Sequence, residues 1–124
     1  MSARRSIANS VAAFLQVTVA VSALYAASLP DSEKKKIEAL IESVASAREI
    51  RFVRNGRAYD SATAATFLRR KWQANASEVS SARDFIEKIA SFSGTSGNPY
   101  LIRRKDGSEI TSREFLFGQL TKME

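Results

Sequence analysis

Residues 50–59 read Ile50-Arg51-Phe52-Val53-Arg54-Asn55-Gly56-Arg57-Ala58-Tyr59. The run up to Arg54 shifts toward alternation, and Asn55-Gly56 is the dipeptide that tolerates the positive φ angles of a two-residue hairpin turn. A strand, a tight turn and a returning strand through Tyr59 are expected. A second hairpin is expected from Tyr100-Leu101-Ile102-Arg103-Arg104, turning through Lys105-Asp106-Gly107 toward Ile110. Around these hairpins the apolar period is that of helices. From Asp31 to about Ala47, Ile37, Leu40, Ile41 and Val44 fall at i, i+3, i+4 and i+7, with Asp31 or Ser32 as N-cap and Glu33 in the first turn. Asp60 caps a helix running to about Asn75, with Ala65, Leu68 and Trp72 inward. Ser81 and Asp84 open a third, with Ala82, Phe85, Ile86 and Ile89 inward, the strongest helical pattern in the chain. Thr111-Ser112-Arg113-Glu114 is a capping box for a last helix carrying Leu116, Leu120 and Met123. An isolated hairpin is marginal in water, so the two either pair into one sheet or lie on the helices. The fold class is α+β, about four amphipathic helices packed with a small antiparallel sheet made of two hairpins.

Ahead of this body, Arg4 and Arg5 precede an uncharged stretch from Ile7 to Ala27. Asn9, Ser10, Gln16, Thr18 and Ser22 interrupt it, which makes it poorer in apolar residues than a span lodged in about 30 Å of hydrocarbon. A basic start, an apolar middle and a small-residue exit describe a signal-peptide helix over residues 1–26, with cleavage near Ala23 or Ala26. Residues 27–124 then form a single small α+β domain. The competing readings are a buried N-terminal helix and an uncleaved helix tethering an accessory subunit to the membrane.

The chain has 124 residues, 44% of them hydrophobic and 26% charged, which suits one globular domain and leaves no room for a separate cofactor-binding fold. It has no Cys and no His, which excludes disulfides, thiolate nucleophiles, Ser-His dyads and the common zinc sites. No metal, cofactor or catalytic residue is assigned. Ser32-Glu33-Lys34-Lys35 and Ser96-Gly97-Asn98 match two of the three signatures of serine enzymes acting on cell-wall peptides. Where the third, K-T-G, is needed, the chain has Lys105-Asp106-Gly107, a turn sequence. A small envelope hydrolase is therefore the lesser alternative to a non-catalytic binding or accessory protein. Loss of Arg4 and Arg5 from the 19 Lys and Arg leaves 17 against 13 Asp and Glu, a net charge of +4. That charge suits an anionic envelope component or an acidic envelope protein as partner. Nucleic acid is not expected, because the basic residues are spread along the chain and interleaved with acids. Membrane contact is expected only through the N-terminal segment before cleavage, and the composition leaves the oligomeric state open.

The binding residues proposed from sequence are Arg54, Asn55, Ser96, Gly97 and Tyr100. Arg54 and Arg57 flank a turn where they can meet a carboxylate or phosphate. The loop Ser93-Gly94-Thr95-Ser96-Gly97-Asn98-Pro99 is either a linker or a small anion nest of backbone N–H groups. Tyr100 and Phe52 read as sheet-core aromatics or as the lining of a shallow groove. Trp72 reads as core, or as a surface anchor beside Arg69, Arg70 and Lys71.

Phe52-Val53-Arg54-Asn55-Gly56, then Phe85-Ile86 with Ile89-Ala90-Ser91, then Ser93 through Ser96-Gly97 to Pro99-Tyr100, resemble in order and spacing the YfeK-like family of exported bacterial proteins. The resemblance runs from the first helix to the last. It implies export, to the periplasm, and carries over no catalytic residues, since the family is one of unknown function.

Overall fold

The computed structural model describes residues 29–124. The signal peptide expected over residues 1–26 lies outside the described residues. Helix α1 (Asp31–Ser46) starts one position earlier than the capping residues suggest, because Pro30 occupies the cap position. Its ring holds φ at −62° in the extended conformation, and its carbonyl accepts the first helical bond from the Lys34 N–H at 3.0 Å. The expected side-chain cap from Asp31 or Ser32 is absent, and Asp31 and Glu33 serve the first turn by charge. The stripe Ile37, Leu40, Ile41 and Val44 is buried as its spacing requires.

Strands β1 (Arg51–Arg54) and β2 (Arg57–Tyr59) form the first hairpin, turning at Asn55 with φ 50° and Gly56 with φ 77°. Both angles lie in the left-handed region that this dipeptide tolerates. Helix α2 (Ser61–Ala74) is capped by Asp60, whose carboxylate accepts from the Thr63 N–H at 2.8 Å. It buries Ala64, Ala65, Leu68 and Trp72, so Trp72 is a core residue.

Element α3 departs from the expected regular helix. It is one α turn, Ala82–Asp84, that widens into a π turn over Phe85–Ile89, with the Ala90 N–H reaching the Phe85 carbonyl five residues back. The Ser91 hydroxyl takes the Ile86 carbonyl at 2.6 Å, replacing the next helical bond and ending the element. The inward set Ala82, Phe85, Ile86 and Ile89 is nonetheless buried, because the wider turn keeps those side chains on the core side.

Strands β3 (Leu101–Arg103) and β4 (Glu109–Thr111) form the second hairpin, and α4 (Ser112–Met123) follows, capped by the Thr111 hydroxyl, which accepts from the Glu114 N–H at 3.0 Å. Leu116 and Leu120 are buried, and Met123 is not. It is 38% exposed in the last turn of α4, next to the end of the chain.

The two hairpins join edge to edge into one antiparallel sheet of order β2-β1-β3-β4, with β1 and β3 central. In this register Tyr59, Phe52, Ile102 and Ile110 stand opposite one another across the strands. Phe52 and Ile102 belong to the same core as the helices, where α2 packs on β1, α4 on β3 and β4, and α1 on the other three helices. Four helices and a four-stranded antiparallel sheet, counted among the described residues, bear out the α+β fold class.

Candidate functional site

Tyr100 is the residue on which the site is built. Its backbone is pinned on both sides: its N–H donates to the Ser91 carbonyl and its carbonyl accepts from the Ser112 N–H, at 2.9 and 2.8 Å. The ring is buried against Phe52 at 5.2 Å and meets Phe67 of α2 edge-on at 5.6 Å, the tilted and T-shaped contacts that aromatic quadrupoles favour. One turn beyond Phe67, Lys71 brings its ammonium to the tyrosine hydroxyl at 2.9 Å and to the Phe92 carbonyl at 2.8 Å. Arg54, at the end of β1, lays its guanidinium over the Phe67 ring, 4.4 Å from the centroid. Together with Ser93, Gly94 and Thr95 these residues line a cavity of about 160 Å³, room for about five waters.

The electrostatics of this cavity are one-sided. Its lining holds two cations and no carboxylate. Among the described residues neither Arg54 nor Lys71 joins an ion pair. Burial holds the Lys71 pKa below the ordinary lysine value, and the charge of Arg54 lowers it further. Burial pushes the Tyr100 hydroxyl up, against a smaller downward pull from Arg54, so it remains a proton donor at neutral pH.

The hydrogen-bond ledger tilts the same way. An ammonium has three protons, and Lys71 directs two of them at Phe92 and Tyr100. Tyr100 accepts from Lys71, and its own proton meets no acceptor among the described residues. One proton of the Ser93–Thr95 hydroxyl pair bridges the two at 3.1 Å and leaves the other unspent. The cavity thus offers donors in excess, which an acceptor-only group such as an oxyanion satisfies.

The residues proposed from sequence divide into two sets. Arg54 and Tyr100 line the cavity. Asn55, Ser96 and Gly97 do not, and form instead a latch between the β1–β2 turn and the loop over residues 93–99. The Asn55 amide donates to the Ser93 hydroxyl at 3.2 Å and accepts from the Ser96 hydroxyl at 2.6 Å. The Gly97 N–H donates to the Ser93 carbonyl at 2.9 Å, with φ of 73° at Gly97. Ser96, part of the S-x-N match, thus spends its hydroxyl on Asn55. Sequence reasoning missed Phe67 and Lys71 as lining residues. The signal that could have found them is their i, i+4 spacing on a helix whose apolar stripe runs through Leu68 and Trp72, which places Lys71 at the border of the buried face.

Among the described residues no group of three or more Asp, Glu, His or Cys is placed to hold a metal, and no helix is long and apolar enough to cross a membrane. Residues 31–124 match a family described as "Family of unknown function (DUF5329)". A relative from Salmonella typhimurium, "Uncharacterized protein YfeK", is 35% identical over 68 residues, 55% of this chain and 57% of that protein. The matched stretch is therefore little more than half the length of the relative. The resemblance seen in the sequence is borne out by both. No solved structure matches the chain.

The latch makes a prediction. Replacing Asn55→Gly keeps the positive φ angle and removes both amide bonds. Stability should fall by about 1–2 kcal/mol, and hydrogen exchange at the Ser93 and Gly97 amides should accelerate about five- to thirtyfold by the same loss. Unchanged protection at those amides would mean that the loop holds itself without Asn55.

Proposed function

The chain belongs to the DUF5329 family, a family of unknown function, and we propose that it works by holding an anionic group of a cell-envelope component in the cavity between Arg54 and Lys71. In this reading the protein is exported to the periplasm, its leader is removed near Ala23 or Ala26, and the remaining domain acts as a non-catalytic accessory protein. The observation that carries the binding reading is the cavity itself: two cations without a counter-charge, a tyrosine hydroxyl with an unspent proton, and no carboxylate in the lining. A charged amine that is half-buried and unpaired is costly, and a bound oxyanion offsets that cost with charge-assisted hydrogen bonds. The uncharged run from Ile7 to Ala27 after two arginines supports export, and the surplus of basic residues supports an anionic partner through long-range attraction. A lining without imidazole, thiol or carboxylate suits holding an anion better than transforming it.

Sulfate is a suitable probe, since its charge is constant over the relevant pH range. Titration followed by amide chemical shifts should show saturable binding at residues around Tyr100. Lys71→Gln and Arg54→Gln should each weaken it by about ten- to a hundredfold, the cost of losing a charged hydrogen bond. Bound sulfate favours the ammonium form of Lys71, so affinity should be flat below the depressed Lys71 pKa and fall as pH rises through it. Absence of saturable sulfate binding, or equal binding by both variants, would overturn the reading.

Export is checked separately, by N-terminal sequencing of protein recovered from the periplasm. A start at Leu24 or Ala27 is expected, whereas an intact Met1 in the membrane fraction would establish the tethered form instead.

A further inference from the structure

Phe67 is the wall common to three hollows. One is the cationic cavity. A second, of about 350 Å³, runs along α2 and is lined by Ala62, Thr63, Thr66, Phe67 and Arg70. A third, of about 40 Å³, lies between Tyr59, Thr63 and Phe67, with Arg54 again in its lining. The second hollow exists because three short side chains, Ala62, Thr63 and Thr66, stand beside a large one on the same stretch of helix. What they present is mostly apolar, the methyl groups of Ala62, Thr63 and Thr66 and the Phe67 ring, with the two threonine hydroxyls and the Arg70 side chain as the polar members. Phe67 itself is half-buried: Arg54 lies over one face of its ring, Tyr100 meets it edge-on, and the side chain still lines all three hollows. No carboxylate lines any of the three.

We infer that the ligand is a small single-tailed amphiphile, one oxyanion on an alkyl or aromatic body. The head takes the cavity between Arg54 and Lys71, and the body crosses Phe67 into the hollow along α2. The inference rests on the anion-binding reading above and adds the tail. Charge complementarity selects the head. Adjacency selects the body, because Phe67 lines both hollows, so that an apolar group attached to an anion seated beside Phe67 has a mostly apolar surface next to it. A simple inorganic anion would leave that hollow, with the part of Phe67 that lines it, in water, and burying it is the gain that a tail supplies.

The test uses methyl, butyl and hexyl sulfate, each below its micelle concentration, with 1-hexanol as the uncharged control, titrated into the full chain. The readout is the ratio of hexyl to methyl sulfate affinity within each protein, so that effects on the head cancel. If the hollow buries about half of each methylene, affinity rises about twofold per added carbon and the ratio is about thirtyfold, from a full-burial value of about 0.8 kcal/mol per CH₂. The double variant Ala62→Gln/Thr66→Gln fills the hollow with polar side chains at exposed helix positions where glutamine is a good helix former, and in it the ratio should fall toward one. A thermal melt matching that of the unsubstituted chain shows that the variant is folded. Hexanol should bind far more weakly than hexyl sulfate.

A ratio near one in the unsubstituted chain, with methyl sulfate still bound, overturns the tail and leaves the anion site standing. A large ratio that survives in the double variant also overturns it, by placing the tail elsewhere. Failure of every sulfate to bind removes the anion site itself and this inference with it.

Discussion

An ammonium group held in a half-buried place by neutral partners is the constraint around which this domain is arranged. Lys71 donates to a backbone carbonyl and a phenol, with a guanidinium for a neighbour in place of a carboxylate. Its two bonds tie α2 to both ends of the loop that leads into β3, at Phe92 and at Tyr100, more than twenty residues along the chain. Lys36, also only partly exposed, is placed differently: it sits between Glu33 and Glu124, which raise its pKa. Where a protein leaves a partly desolvated cation without its counter-charge, the charge is available to something else. The rest of the fold supplies the rigid frame, with Tyr100 fixed through both backbone groups and Phe67 fixed between Arg54 and Tyr100.

The parts of the fold that were legible in the sequence are those set by local chemistry. Asn55-Gly56 announces its turn, Asp60 and Thr111 announce their helix starts, and the stripe from Ile37 to Val44 announces a buried face. Each depends on residues within about two helical turns of one another. What was not legible depends on tertiary context. The pairing of β1 with β3 follows from the packing of both hairpins on one set of helices. The π turn at Phe85–Ile89 depends on Ser91 capturing a carbonyl, which no periodicity reveals. At the start of α1 a proline took the cap position, where a side-chain oxygen is the commoner device.

The same distinction explains the site. Arg54 and Tyr100 could be picked out because they flank turn and loop signals, and both line the cavity. Asn55, Ser96 and Gly97 carry equally strong local signals, but those signals report loop construction: a left-handed residue, a hydroxyl and a glycine used to fasten one turn to another. Lys71 and Phe67 carry no such mark. Their significance arises only when α2 lies against β1 and the loop after α3 closes over its end. A short chain without His or Cys can thus still assemble a chemically distinctive pocket from ordinary residues, provided that charge and burial are brought into opposition.

The central claim is that Lys71 carries an uncompensated charge that an anion relieves. The most direct measurement follows the side-chain ammonium of Lys71 by ¹⁵N NMR through a pH titration, with and without saturating sulfate. The account predicts that Lys71 titrates below the other lysines of the folded domain when the cavity is free, and that sulfate moves its pKa upward. A Lys71 that titrates like an ordinary surface lysine, or that ignores sulfate, would contradict it.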